Sequence, residues 1–190
     1  MPSDFHPPYG VVIHRQRAGM KSILRIKLKK GTLSRPIHPE KGLLPEIEVM
    51  GAELRKKIKE RFGRSFHIRE VDTGSCGACE SEIIAATSPI YDIQRFGIDF
   101  VASPRHADAL LVTGPVSKNM AAALRKTYEA MPEPKFVITL GDCAKGGGAF
   151  KGSYYVSGGV KEVLPVDFHI LGCPPSPENI VKALLVFLGK

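Results

Sequence analysis

Asp108-Ala109-Leu110-Leu111-Val112-Thr113 and Lys135-Phe136-Val137-Ile138-Thr139-Leu140 are two apolar runs of strand length, and between them Lys118 to Ala130 has the length and composition of a helix. A strand, a helix and a second strand in that order imply a right-handed crossover and two parallel neighbours in one sheet. Working outward, Phe66-His67-Ile68-Arg69-Glu70-Val71 reads as an earlier strand and Asp99-Phe100-Val101 as a short one. Val166-Asp167-Phe168-His169-Ile170 reads as a later strand, with further helices predicted over Glu80 to Thr87 and Pro177 to Leu188. Residues 66–190 are thus expected to form an α/β domain, a doubly wound parallel sheet covered by helices on both faces.

Residues 1–65 are organised differently. Pro2, Pro7, Pro8, Pro36, Pro39 and Pro45 interrupt them. The convincing regular stretch there is a helix from about Glu46 or Gly51 to Arg61, ended by Gly63, with Val49, Leu54 and Ile58 on its apolar face. Ser22 to Lys30 alternates apolar and basic residues, as a strand or an amphipathic surface piece would. Residues 1–70 hold 16 Lys and Arg against 7 Asp and Glu, whereas residues 71–190 hold 11 against 12. The basic character therefore belongs to an irregular N-terminal extension, expected to order against an acidic partner subunit or an anionic membrane surface. No nucleic-acid-binding signature accompanies the charge, so nucleic acid is not an expected partner. No apolar run approaches the roughly 18 to 20 residues that span a bilayer.

The chain has four cysteines, each in a turn rich in glycine or proline. Cys76 and Cys79 form a C-x-x-C pair in Gly74-Ser75-Cys76-Gly77-Ala78-Cys79. Cys143 lies in Gly141-Asp142-Cys143-Ala144-Lys145-Gly146-Gly147-Gly148, and Cys173 in Gly172-Cys173-Pro174-Pro175-Ser176-Pro177. A C-x-x-C pair alone serves structural zinc, thiol redox chemistry and iron-sulfur clusters equally well. Zinc more often uses two paired knuckles, and a dithiol would leave Cys143 and Cys173 without a role. Disulfides are not needed by a chain of this length, which has no apolar signal segment and is expected in a reducing compartment.

In the predicted layout all four cysteines follow the carboxyl ends of strands. Parallel strands share that edge, where ligand crevices form. Four thiols converging there match the ligand count of one 4Fe-4S cluster, and Gly77, Gly141, Gly146, Gly147 and Gly172 would let backbone N–H groups approach the sulfurs.

Asp72-Thr73-Gly74-Ser75-Cys76-Gly77-Ala78-Cys79-Glu80-Ser81-Glu82-Ile83 and Ser88-Pro89-Ile90-Tyr91-Asp92-Ile93-Gln94-Arg95-Phe96-Gly97-Ile98 carry a resemblance that continues through Ser103-Pro104-Arg105-His106-Ala107-Asp108, Thr113-Gly114-Pro115-Val116 and the Cys143 and Cys173 turns. Over about residues 66–190 the chain resembles the small subunit of membrane-bound, complex-I-related nickel-iron hydrogenases. The resemblance implies a flavodoxin-like electron-transfer subunit whose proximal 4Fe-4S cluster, on Cys76, Cys79, Cys143 and Cys173, faces a large catalytic subunit. It also implies a ferredoxin-like, cluster-bearing neighbour, membrane-arm subunits, and a peripheral position on the cytoplasmic side of the membrane. Complex I members of the family bear two adjacent cysteines where this chain has Cys76-Gly77-Ala78-Cys79, the hydrogenase-type spacing. The expected function is electron relay within a hydrogenase-like complex; the equivalent subunit of a quinone or sulfur-compound reductase is the alternative, and a standalone C-x-x-C thiol-redox protein is a third.

Glu82 is the candidate outside the cysteines. Its predicted place on the first helical turn suits a carboxylate for dipole reasons alone. The resemblance adds an acid at this position linked to proton or quinone-site coupling at the subunit interface. Arg105, His106 and Asp108 also match the family, and His106 is as well suited to pinning a loop as to relaying protons.

Overall fold

Five short runs of apolar residues become five parallel strands: β1 (Phe66–Asp72), β2 (Ile98–Phe100), β3 (Ala109–Thr113), β4 (Phe136–Leu140) and β5 (Phe168–Ile170). The computed structural model describes residues 45–189. The strand order is β2-β1-β3-β4-β5, the flavodoxin-like arrangement, with the order reversing between β1 and β3. Register runs Ile68↔Ala109 to Asp72↔Thr113 between β1 and β3, then Ala109↔Phe136 to Thr113↔Leu140 between β3 and β4. All five residues of the central strand β3 are buried, as a strand covered on both faces requires.

Helices α1 (Pro45–Phe62), α2 (Ala78–Thr87), α3 (Lys118–Glu129), α4 (Asp142–Gly146) and α5 (Pro177–Leu188) complete the layers. Alternation along β1 sends Phe66 and Ile68 to one face and Val71 to the other. The first face packs on Leu54 and Ile58 of α1, Ile83 and Ala86 of α2, and Ile180 and Leu184 of α5. On the second face Val71, Leu110, Val112 and Val137 meet Leu124 of α3 and Ala144 of α4. The doubly wound sheet expected from the strand and helix pattern is therefore present.

Two expectations need correction. The helix foreseen within the basic extension packs into the α/β core, so the described residues, 45–189, form one compact unit and the folded domain begins before residue 65. Its buried stripe is Ile47, Leu54 and Ile58, whereas Val49 is 70% exposed. Gly51 falls on the same stripe, and a Cβ there would enter the Phe96 ring, so the missing side chain sets how closely α1 approaches. Gly63, at φ +68, ends α1 as expected, its N–H bonding to the Lys59 carbonyl at 3.0 Å. The Ser22 to Lys30 stretch lies outside the described residues. The second correction is α4, a five-residue helix that holds Cys143 and is too short to announce itself by periodicity. Among the described residues no helix is long and apolar enough to cross a membrane.

Candidate iron-sulfur site

The cysteines hang from the carboxyl edge of the sheet on three segments, after β1, β4 and β5. After β1, the Asp72 carboxylate accepts the N–H groups of Gly74 at 2.8 Å and Ser75 at 2.7 Å, which turns the chain toward Cys76. Gly77 then adopts φ +84 and its N–H donates to the Ser75 hydroxyl at 3.0 Å. That left-handed residue starts α2 at Ala78, two positions earlier than expected, and sets Cys79 in the first turn.

The Cys143 and Cys173 segments are clamped to each other. The Gly141 N–H donates to the Ile170 carbonyl at 2.8 Å and the Asp142 N–H to the Gly172 carbonyl at 3.0 Å, while the Gly172 N–H returns to the Asp142 carboxylate at 3.1 Å. Chain positions about thirty residues apart are thus fixed together by two backbone bonds and one to the Asp142 side chain, before any ligand is considered.

Backbone also closes on the sulfurs. Gly141 has φ +91, and a Cβ there would stand 2.7 Å from the Cys79 sulfur; Gly148 has φ +50, and its Cβ would stand 2.5 Å from the Cys143 sulfur. The Ala149 N–H bonds toward Cys143. Cys76 and Cys173 are exposed, while Cys79 and Cys143 are half-buried. Burial, then Glu80, then the charges of Cys143, Cys76 and Cys173 push the Cys79 thiol up to about 12. Burial likewise raises Cys143, with the Ala149 N–H opposing and Cys173, Cys76 and Asp142 adding to the rise. These thiols repel one another as thiolates, which only a cationic group among them would reverse.

Among the described residues no three or more His, Cys, Asp or Glu side chains are grouped to hold a single metal ion. A cubane differs in its demand, because each thiolate bonds a different iron and the ligands stand further apart than donors around one ion. The residues fit that group in donor chemistry and in the backbone that closes over two of the sulfurs at Gly141 and Gly148. Gly148, which the sequence reading passed over, was detectable as the third of three glycines after Cys143.

The other candidates separate from this edge. Because α2 starts early, Glu80 occupies its first turn and Glu82, half-buried, falls in the next. Arg105, His106 and Asp108 lie before β3, at the opposite end of that strand from the cysteines. Asp108 binds the Arg64 guanidinium through both oxygens, at 2.7 and 2.9 Å, and accepts the His67 N–H at 2.9 Å, which pins the starts of β1 and β3 together.

A cavity of about 400 Å³ beside α2 was not foreseen; Arg69, Glu70, Glu80, Ile83 and Phe100 are among its walls. Glu70 accepts the Thr113 hydroxyl at 3.1 Å, and burial is the main cause that raises its carboxyl, with Glu80 and Asp72 adding to the rise. On β5, His169 Nδ1 lies 2.5 Å from the Thr139 hydroxyl, and burial, then Lys145 and Lys161, lower its pKa.

Comparison with known proteins agrees with this architecture. The chain is 43% identical over 143 residues to the Pyrococcus furiosus protein named "Probable membrane-bound hydrogenase subunit mbhJ", covering 72% of this chain and 86% of that one. It is 44% identical over 143 residues to formate hydrogenlyase subunit 7 of Escherichia coli, covering 75% of this chain and 54% of the relative. Among solved structures it is similar to a chain of the membrane-bound sulfane sulfur reductase, an archaeal respiratory membrane complex, with a TM-score of 0.59 and 29% identity over 76% of this chain and 75% of that chain. Residues 76–187, from the first cysteine through most of α5, match the family described as NADH ubiquinone oxidoreductase, 20 Kd subunit, and the chain belongs to that family as a subunit of a hydrogenase-like or complex-I-like oxidoreductase.

Proposed function

We propose that this chain is the electron-transferring small subunit of a membrane-associated nickel-iron hydrogenase-like complex, and that Cys76, Cys79, Cys143 and Cys173 hold one 4Fe-4S cluster beside the large catalytic subunit. The observation that carries the reading is that all four cysteines follow carboxyl ends of strands on one sheet edge, Cys76 and Cys79 after β1, Cys143 after β4 and Cys173 after β5, with backbone pressed on two of the sulfurs. Such a cluster supplies one-electron transfer at a potential set by net charge, burial and hydrogen bonds to sulfur. The chain's own part is to hold the three cysteine-bearing segments rigid: the Asp142 and Gly172 clamp fixes two of them, and the Asp72 turn fixes the third. Rigid ligand turns limit rearrangement when the charge changes. The large subunit, a ferredoxin-like cluster-bearing subunit and membrane-arm subunits are the proposed partners, at the cytoplasmic side of the membrane. Glu82, beyond the first turn of α2, is the proposed proton-transferring group at the interface with the large subunit.

A second reading makes the chain the equivalent subunit of a sulfur-compound or quinone reductase, and the likeness to the sulfane sulfur reductase complex supports it. The intact complex should be assayed for hydrogen evolution, polysulfide reduction and quinone reduction in parallel. Hydrogen evolution dependent on the four cysteines is the result expected; sulfide production without hydrogen activity would transfer the conclusion to the second reading.

A further inference from the structure

We propose that the cavity between α2 and the short end of β2 is a socket for one cationic side chain, arginine or lysine, from a partner subunit. The inference rests on the chain's belonging to a multisubunit complex and is independent of what the cysteines hold.

The cavity exists because β2 is only three residues long. Its pairing with β1 ends at Ile68↔Phe100, and the chain then leaves through Val101 and Ala102, so β1 runs on from Arg69 to Asp72 without a strand on that side. The opening of about 400 Å³ is walled by apolar Ile83, Ile84, Phe100 and Val101, with Arg69, Glu70 and Glu80 as its charged members.

Those charges do not balance. Two carboxylates stand against one guanidinium, and the pairing among them is poor. Both Glu80 oxygens are buried without a hydrogen-bond partner, and so is the Arg69 Nε. Glu70 is bonded by the uncharged Thr113 hydroxyl. Native proteins rarely leave a carboxylate shut from water with no donor, because desolvation is then uncompensated. One added cation would bring the formal charge of the group to neutral.

The walls define its form. Arginine and lysine carry a long aliphatic stem before the charged head, and a lining of apolar side chains together with two glutamates suits that combination. Among the lining residues, Ile84 is 69% exposed. Exposed apolar area beside an uncompensated anion is a surface that a partner covers, not one suited to water.

The test is made on the intact complex. Glu80→Gln and Glu80→Lys should each lower retention of this chain in the purified complex at least tenfold across a salt titration, with iron per chain unchanged. A density map of the wild-type complex should show a partner's guanidinium or ammonium within hydrogen-bond distance of the Glu80 or Glu70 carboxylate. Unchanged retention of Glu80→Lys would overturn the proposal, as would loss of iron in both variants, which would make Glu80 a support of the cysteine turn. A map in which the cavity holds solvent, lipid or only apolar side chains would overturn it independently of the variants.

Discussion

A single carbon should matter most at Gly141. An alanine there takes φ +91 at a strain of about 1–3 kcal/mol and sets its Cβ 2.7 Å from the Cys79 sulfur. Gly77 offers the control: its φ is +84, yet nothing lies within 4 Å of a Cβ. Gly141→Ala should therefore lose bound iron, while Gly77→Ala should cost about 1–2 kcal/mol of stability and keep it; iron content and thermal melts of the two variants decide the matter. Equal iron in both would mean that the Gly141 contact does not shape the site. Glu82 can be tested by charge alone. If it moves protons, Glu82→Gln should preserve assembly and iron while slowing turnover about 10²- to 10⁴-fold. Its position past the first turn of α2 weakens the dipole explanation, which would cost at most about 0.3–1 kcal/mol and leave turnover unchanged. His169 gives a pH signature. Its folded pKa lies below the ordinary value of about 6.5, so the unfolded chain takes up the proton first and stability is lost as pH falls through that range. The melting temperature of His169→Asn should decline less steeply than wild type below about pH 6.5, and parallel curves would rule out this contribution.

The helix α1 tests where the folded unit begins. Leu54 is fully buried against the sheet, so Leu54→Ala should destabilise the domain by about 2–5 kcal/mol, whereas Val49→Ala should fall within about 0.5 kcal/mol of wild type. Denaturant unfolding of the two variants separates a core helix from a surface arm; an equal, small effect would detach α1 from the core. The sequence reading found this helix but put Val49 on its inner face and assigned it to the extension. Lysines and arginines dominate residues 55–61, and their charge hid a stripe, Ile47-Gly51-Leu54-Ile58, whose second position is a glycine. Strands were easier to read, because β3 and β4 are buried runs of uninterrupted apolar character. The helix α5 was legible to the residue, opening on Pro177 after the Ser176 cap and closing at Leu188. The helix α4 was not, since five residues around Cys143 make barely one turn and leave no periodic mark.

For the molecule as a whole, the placement of the cysteines after β1, β4 and β5 was legible because it follows from strand order in a parallel sheet. The cavity beside α2 was not, because it depends on where β2 stops, and element ends are set by tertiary packing rather than by local sequence. The basic extension is a matter of charge: residues 1–43 hold nine Lys and Arg against two Asp and Glu. We expect a chain lacking residues 1–43 to keep its iron but to assemble poorly, with wild-type assembly weakening as salt rises. Loss of iron with assembly intact would contradict that division of labour. The account's central claim is that four thiols from three strand-end segments hold one cluster, and metal analysis of the anaerobically purified complex tests it most directly. The expected result is about four irons and four acid-labile sulfides per chain attributable to this site, lost or converted in Cys143→Ser and in Cys173→Ser. Stoichiometric zinc with no iron on this chain, or an iron content that neither substitution changes, would contradict it.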